Sequence, residues 1–296
     1  MDFSEYQRQA LKTDQYPLEK DEEGLAEAIP ILGIVGEVGS LLTCIKKRMR
    51  DGDAYSEFFY EMEEELGDIL WYMSNIASKF DISMNDVAEK NIKKIADFYL
   101  LGQSGKDDYR LLDNEYPENE QIPRSMAIQF SESQLGAGAV VEICLLGKDY
   151  KIGDPLDDNS PNDDGYRYHD AFHLAYAAIL GWSPVFRHIL GVKRKSIPDV
   201  DRIQDGARAR IIEEAISLYI FSYAKKLGFL DGLKEIDEEK IVTIKELVSD
   251  LEVSVRSASE WVLAIQKGYE IYRLLRKNNG GVVHIDLQER TIKYFG

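Results

Sequence analysis

The stretch Gly36-Glu-Val-Gly-Ser40, set against Glu64-Glu-Leu-Gly-Asp68 and its continuation Ile-Leu-Trp-Tyr-Met, decides the reading of this chain. Both motifs sit in apolar segments with helical spacing. Ile29, Ile31, Leu32, Val35, Leu41, Leu42 and Ile45 recur at the intervals of one helix face. Glu37 and Ser40 are three residues apart and share a face, as do Glu65 and Asp68. Glu61 stands four before Glu65, and Glu64 four before Asp68. Carboxylates on an apolar helix are costly to bury unless a cation meets them. Two antiparallel helices joined at Asp51-Gly52 would bring Glu37 opposite Glu65 and Asp68. Such a set of oxygen donors suits a hard cation, Mg2+ or Mn2+. The competing reading is a solvated acidic face, the usual meaning of a charge run. Gly33, Gly36 and Gly39 weigh against it, since glycine costs a helix interior up to about 1 kcal/mol and calls for close packing or access.

Working outward, residues 3–14 predict a short amphipathic helix, 25–49 and 55–80 two long ones, and 84–99 a fourth with Ser83 as its N-cap and Asp86 three residues on. Residues 1–105 thus predict a helical bundle. The polar run from Gly102 to Pro123 predicts a linker, taken as 106–123. From residue 124 to 296 the period changes. SMAIQFSE and AGAVVEICLLG predict strands, and KIGDPLDDNSPNDDGY a long acidic loop. Helices are predicted over 167–190 and 207–228, with one or two more over 238–277. Asn279-Gly280-Gly281 ends the last of them, and GVVHIDLQERTIKYFG predicts a hairpin. The fold class is therefore mainly α: an N-terminal helical bundle, then a helical domain with a small antiparallel sheet drawn from both its ends.

Composition narrows the function. The 296 residues are 44% hydrophobic and 30% charged, as in a soluble globular protein, and carry a net charge of -17. That acidity disfavours a nucleic-acid polymer as partner but leaves single nucleotides open. Two cysteines, Cys44 and Cys144, without zinc-type spacing, fit a reducing cytoplasm. The N-terminus has no signal-peptide core, and the expectation is a cytoplasmic protein with no membrane anchor.

GEVGSLL, some twenty residues, then EELGDILWYMSNIASKFDIS and a trailing NIKK resembles the MazG-like family of nucleoside triphosphate pyrophosphohydrolases. The likeness spans about residues 25–100. The family pattern is E-x-x-E followed by E-x-x-D on an all-α bundle. Glu37 matches its first position, Glu65 its third and Asp68 its fourth, while Ser40 stands where the second Glu belongs, so that either Glu61 or Glu64 supplies that ligand or the site holds fewer metals. The resemblance implies Mg2+-dependent cleavage between the α- and β-phosphates, giving a monophosphate and pyrophosphate. Glu37, Glu61, Glu65 and Asp68 would be the metal ligands, and Glu37 or Glu64 would take the proton of the attacking water. Asn91 and Lys94 match family positions near the substrate. Lys47 and Arg50, in the run Lys46-Lys-Arg-Met-Arg50, offer positive charge for phosphates, although a basic helix end is equally a macrodipole effect. Trp71 could stack a base or simply fill the core. The apolar run Ile69 to Phe80 predicts a homodimer through the first domain. Ser40 also supports an alternative reading, a catalytically weak nucleotide sensor, and a third is an interaction module working through the second domain.

A second constellation lies in DGYRYHDAFHLAYAAILGWSP. His169 and His173 share a helix face, with Asp170 between them. Lys193, Arg194 and Lys195 follow, then Glu213 and Glu214. These eight residues form a candidate second site, with phosphate contacts expected from the basic trio. Against it stands the ordinary reading of core histidines satisfied by hydrogen bonds.

Overall fold

The computed structural model describes residues 1–15, 25–99, 109–135, 138–147 and 150–296. The chain forms two compact units, Met1–Ala96 and Asp97–Gly296.

The first unit is all helical. Asp2 caps α1 (Phe3–Leu11) by accepting a hydrogen bond from the Glu5 amide. α2 (Ala28–Asp51) ends at Gly52, whose φ of 58° reverses the chain. A short 3-10 turn over Gly52–Ala54 leads to α3 (Phe58–Lys79), which packs along α2. α4 (Met84–Tyr99) starts as expected, Ser83 Oγ accepting from the Asp86 amide at 3.2 Å. α1 lies on α3. Gln7 stitches it to the α3–α4 turn, donating to Ser78 Oγ at 3.2 Å and the Ile82 carbonyl at 2.8 Å and accepting from the Met84 amide at 2.9 Å. Lys79 and Asp14 form a buried ion pair at 2.7 Å. Between these helices the buried side chains are few and small, among them Ala10, Cys44, Ser74, Asn75 and Ala77. Many large apolar residues of α2 and α3, Leu32, Val35, Leu42, Met49, Phe59 and Leu66 among them, stay exposed.

The second unit wraps helices around one sheet. Its strands are β1 (Ser125–Leu135), β2 (Gly138–Leu145), β3 (Tyr150–Leu156), β4 (Gly280–Asp286) and β5 (Thr291–Phe295). They run antiparallel in the order β3-β2-β1-β4-β5, so the two ends of the unit meet where β1 pairs with β4. Met126, Ile128 and Phe130 point alternately inward, the period-2 pattern of a sheet with one packed face. Asn279 takes the left-handed conformation that ends the preceding helix. A Cβ on Gly280 would sit 2.4 Å from the Phe130 carbonyl oxygen, so that position admits only glycine.

The helices are α5 (Asp170–Leu180), α6 (Pro184–Leu190), α7 (Pro198–Ile203), α8 (Ala207–Lys225), α9 (Glu238–Leu247) and α10 (Ala258–Asn278). Every residue of α5 is buried, which its nearly uniform apolar composition dictates. It packs chiefly against α10, where Gly268 lets the helices approach and Phe172 stacks on Tyr269 with centroids 4.6 Å apart. Trp182, Trp261, Tyr176 and Tyr272 complete the aromatic core.

The structure departs from the sequence reading in four places, one of them the short α7, which lies outside the expected helices. Residues 151–156, expected in the acidic loop, belong to β3, whose Pro155 is tolerated because the strand is an edge. The helix expected over 167–190 breaks at Gly181, which adopts a φ of 66°, and restarts with Ser183 as N-cap and Pro184 at its first turn. Of the expected linker 106–123, residues 106–108 lie outside the described residues, and the rest is built into the second unit. Leu111 and Ile122 join its core, and Asp113 is bound by Arg187 at 2.6 Å and Arg124 at 2.6 Å. Its polarity reads as linker because the charges that tie it down come from residues far along the chain.

Candidate functional site

In the first unit the long α2–α3 pair sets Glu37 against Glu65 and Asp68. A carboxylate oxygen from each lies within 4.8 Å of the others. Glu37 and Glu65 are half-buried and Asp68 is exposed, so the group opens to solvent from a partly desolvated floor. Burial, then the charges of Asp68 and Glu65, raise the Glu37 carboxyl above its ordinary pKa. Three carboxylates crowded so closely repel one another, and their donors are all hard oxygens. Both features fit a site for a hard divalent cation.

The surroundings assign the other expected residues. Glu61 is not in the group. Its carboxylate accepts from Lys47 Nζ at 2.8 Å and from the Tyr55 hydroxyl, with Cys44 Sγ at 3.6 Å. Lys47 is thereby engaged at the same place, and its ammonium also lies over the Tyr55 ring. Arg50 is exposed and grips its neighbour Asp51 through two hydrogen bonds of 2.7 Å. Glu64 is exposed, one turn before Asp68 and outside the group of three. Trp71 is half-buried, donates to Thr13 Oγ1 at 2.8 Å and meets Tyr72 edge-on, the contacts of a packing residue. Asn91 and Lys94 lie exposed on α4. Ser40 is half-buried one turn along α2 from Glu37 and brings no carboxylate. Of the glycines, Gly33 is covered by the Tyr72 ring, whereas Gly36 and Gly39 face open space. Sequence spacing missed Tyr6 of α1. It is close enough to Asp68 for that charge, after burial, to raise the phenol's pKa. Its only sequence signal is its place on the inner face of an amphipathic helix.

In the second unit His169, Asp170 and His173 also converge, each offering a ligand atom within 4.8 Å of the other two. Glu214 of α8 reaches the same point. Its Oε2 is 3.5 Å from His173 Nε2 and 3.9 Å from His169 Nε2. Glu213 is fully buried beside it and accepts from Ser183 Oγ at 2.6 Å and the Val185 amide at 2.8 Å, while His173 Nδ1 lies 2.8 Å away. Burial opposes a charge on His173, but Glu213 and Glu214 outweigh it and hold the imidazole's pKa well above its usual value. Nothing of the expected basic trio joins this cluster. Arg194 is fully buried and paired with Asp205 at 2.7 Å and Glu252 at 2.6 Å, and Lys193 pairs with Asp201 at 2.6 Å. Lys195 is exposed on the turn that follows. Arg194 is thus committed to the unit's buried ionic network rather than to a phosphate.

A family model described as the MazG nucleotide pyrophosphohydrolase domain matches residues 28–97, and one described as the MazG C-terminal domain matches residues 107–296. Gene 37 protein of Mycobacterium phage L5 is 34% identical over 95 residues, which cover 30% of this chain and 82% of that protein. No solved structure matches the chain.

Proposed function

This chain belongs to the MazG nucleotide pyrophosphohydrolase family, and from that premise we propose that its first unit cleaves a nucleoside triphosphate between the α- and β-phosphates, releasing the monophosphate and pyrophosphate. The observation that carries the reading is the convergence of Glu37, Glu65 and Asp68 within 4.8 Å across two packed helices. These three would hold Mg2+, or Mn2+ in its place. When bound there, the ion supplies charge neutralisation for the polyphosphate and acidifies water. The chain's own contribution is positioning and proton transfer. Glu37, raised by burial and then by the charges of its neighbours, gains from any cation that relieves the repulsion. Glu64 is the exposed carboxylate left to accept a proton. The Lys47–Glu61 pair fixes the α2–α3 geometry beside the site rather than reaching for substrate. Asn91 and Lys94 remain candidate substrate contacts on α4.

A homodimer through the first unit follows from its surface. Leu32 and Val35 are each 68% exposed and Phe59 is 76% exposed, far more apolar area than a free bundle of this size leaves open. The segment Ala28–Ala54 is also long and apolar enough to cross a membrane. Glu37 within it, turned toward two further acids, favours a second protein copy as the cover and a cytoplasmic location. The net charge of -17 favours nucleotides over nucleic-acid polymers as partners.

The experiment is pyrophosphate release from a panel of ribo- and deoxyribonucleoside triphosphates, with and without Mg2+. Turnover of at least one nucleotide, abolished by chelation, is the expected result. Ser40 favours a second reading, a nucleotide sensor short of one ligand. Tight nucleotide binding with no turnover across the panel would replace the first reading with that one.

A further inference from the structure

The cluster in the second unit holds none of the expected phosphate-binding cations, and its donor atoms lie close enough together to share one ion. We propose that one divalent transition-metal ion of the Zn2+, Co2+, Mn2+ or Fe2+ class binds at the start of α5, ligated by His169, Asp170 and His173 and by Glu214 of α8.

The donors are spaced for it. His173 Nε2 and Glu214 Oε2 are 3.5 Å apart, His169 Nε2 and Asp170 Oδ1 3.7 Å, and His169 Nε2 and Glu214 Oε2 3.9 Å. A tetrahedral ion with bonds of about 2.1 Å sets its donors about 3.4 Å apart, so small side-chain adjustments close the shell. At such separations these pairs are too long for good hydrogen bonds to one another.

The outer contacts prepare the histidines as ligands. His169 Nδ1 lies 2.9 Å from the Tyr166 carbonyl, and His173 Nδ1 lies 2.8 Å from Glu213 Oε1. Each acceptor requires the proton on Nδ1, so that when an ion binds it is Nε2, its own proton released, that faces the cluster as the donor. This is the arrangement in which a carboxylate or a carbonyl orients a metal-binding imidazole. Glu213 serves as orienter and not as ligand, since Ser183 and Val185 occupy its oxygens too.

Two observations point to a missing partner. His173 Nε2 is completely buried and, among the described residues, has no hydrogen-bond partner, Glu214 at 3.5 Å being its nearest acceptor; it is an orphan of the kind a bound ion satisfies. Asp170, Glu213 and Glu214 also bring three carboxylates against two imidazoles, an excess of negative charge in a largely buried place. Two imidazoles with carboxylates select a borderline first-row ion over Mg2+ or Ca2+, which separates this site from the all-oxygen group of the first unit. Four protein donors, three of them buried and the fourth from the part-exposed Glu214, make a structural site that clamps α5 to α8.

The test uses the full-length protein stripped with a chelator and then titrated with Co2+. The expected result is one equivalent giving a visible d–d absorption band, displaced by Zn2+, together with a higher melting temperature. The band should persist in Glu65→Gln, disappear in His169→Gln and weaken at least tenfold in affinity in Glu214→Gln, whose side chain is part-exposed and whose loss spares the core. His173 is left intact because its removal would unsettle α5 itself. Absence of a visible band, its loss in Glu65→Gln, or its survival in both His169→Gln and Glu214→Gln would each overturn the proposal. None of these readouts depends on turnover at the first unit, so failure here leaves the pyrophosphohydrolase reading untouched.

Discussion

Tyr72 of α3 lays its ring over Gly33 of α2 so closely that a Cβ at Gly33 would sit 2.2 Å from ring carbon Cε1. That contact sets how near the two acid-bearing helices come. Gly33→Ala should therefore destabilise the first unit by about 1–3 kcal/mol, the cost of overpacking, despite alanine's better helix propensity. Gly36 faces open space, so Gly36→Ala should leave stability level or raise it by up to about 1 kcal/mol. Denaturant unfolding of the two variants measures the contrast, and equal effects would remove the close approach as an explanation for Gly33.

The carboxylates divide into two sets with different consequences. Asp68→Ala or Glu65→Ala should lower the Mg2+-dependent rate by about 100-fold or more, since each removes a donor from a three-acid group. Glu61→Gln, which only loosens the contacts to Lys47 and Tyr55, should keep the rate within about threefold of the parent. Steady-state pyrophosphate release gives both numbers. A collapse in Glu61→Gln would bring that residue back among the ligands.

Light scattering at micromolar concentration should report a dimer. Leu32→Lys combined with Phe59→Lys places charge on the open apolar face and should yield a monomer with the second unit still folded. A monomeric parent protein would dismiss the dimer.

Acid should weaken the second unit through Asp113. Burial would raise this carboxyl, but Arg187, the Ile122 amide and Arg124 outweigh it and hold the pKa below the ordinary value. With the folded value the lower one, the stabilisation is fully present above the unfolded pKa of about 3.9. It is lost as pH falls below about 4. Asp113→Asn, which takes from the buried Arg187 its nearest carboxylate and leaves Asp205 at 3.8 Å as the other, should cost about 3 kcal/mol at pH 7, with the difference from the parent shrinking toward pH 3. Urea unfolding at both pH values checks the sign.

Much of the fold was legible from local rules. Ser83 could be read as a cap because an N-cap needs only a side-chain oxygen three residues before an amide. Asn279-Gly280-Gly281 marked a helix end because left-handed backbone suits those residues. The tail alternated like a hairpin and is one. Glu37, Glu65 and Asp68 were picked out by spacing of three and by the family motif. β3 escaped because Gly153 and Pro155 interrupt its alternation, and only an edge position in a sheet tolerates them.

What the sequence alone determined, then, were the helical runs, their caps and the rows on which the acids stand. A residue's place in the chain fixes its angle around its own helix axis, and nothing more distant. Tertiary structure decided which rows meet. It paired Lys47 with Glu61, buried Arg194 between Asp205 and Glu252, and brought Glu214 to the histidines of α5 while turning Glu213 to orient one of them. Those outcomes depend on the register of one element against another, which is set by the packing of apolar surfaces far apart in sequence.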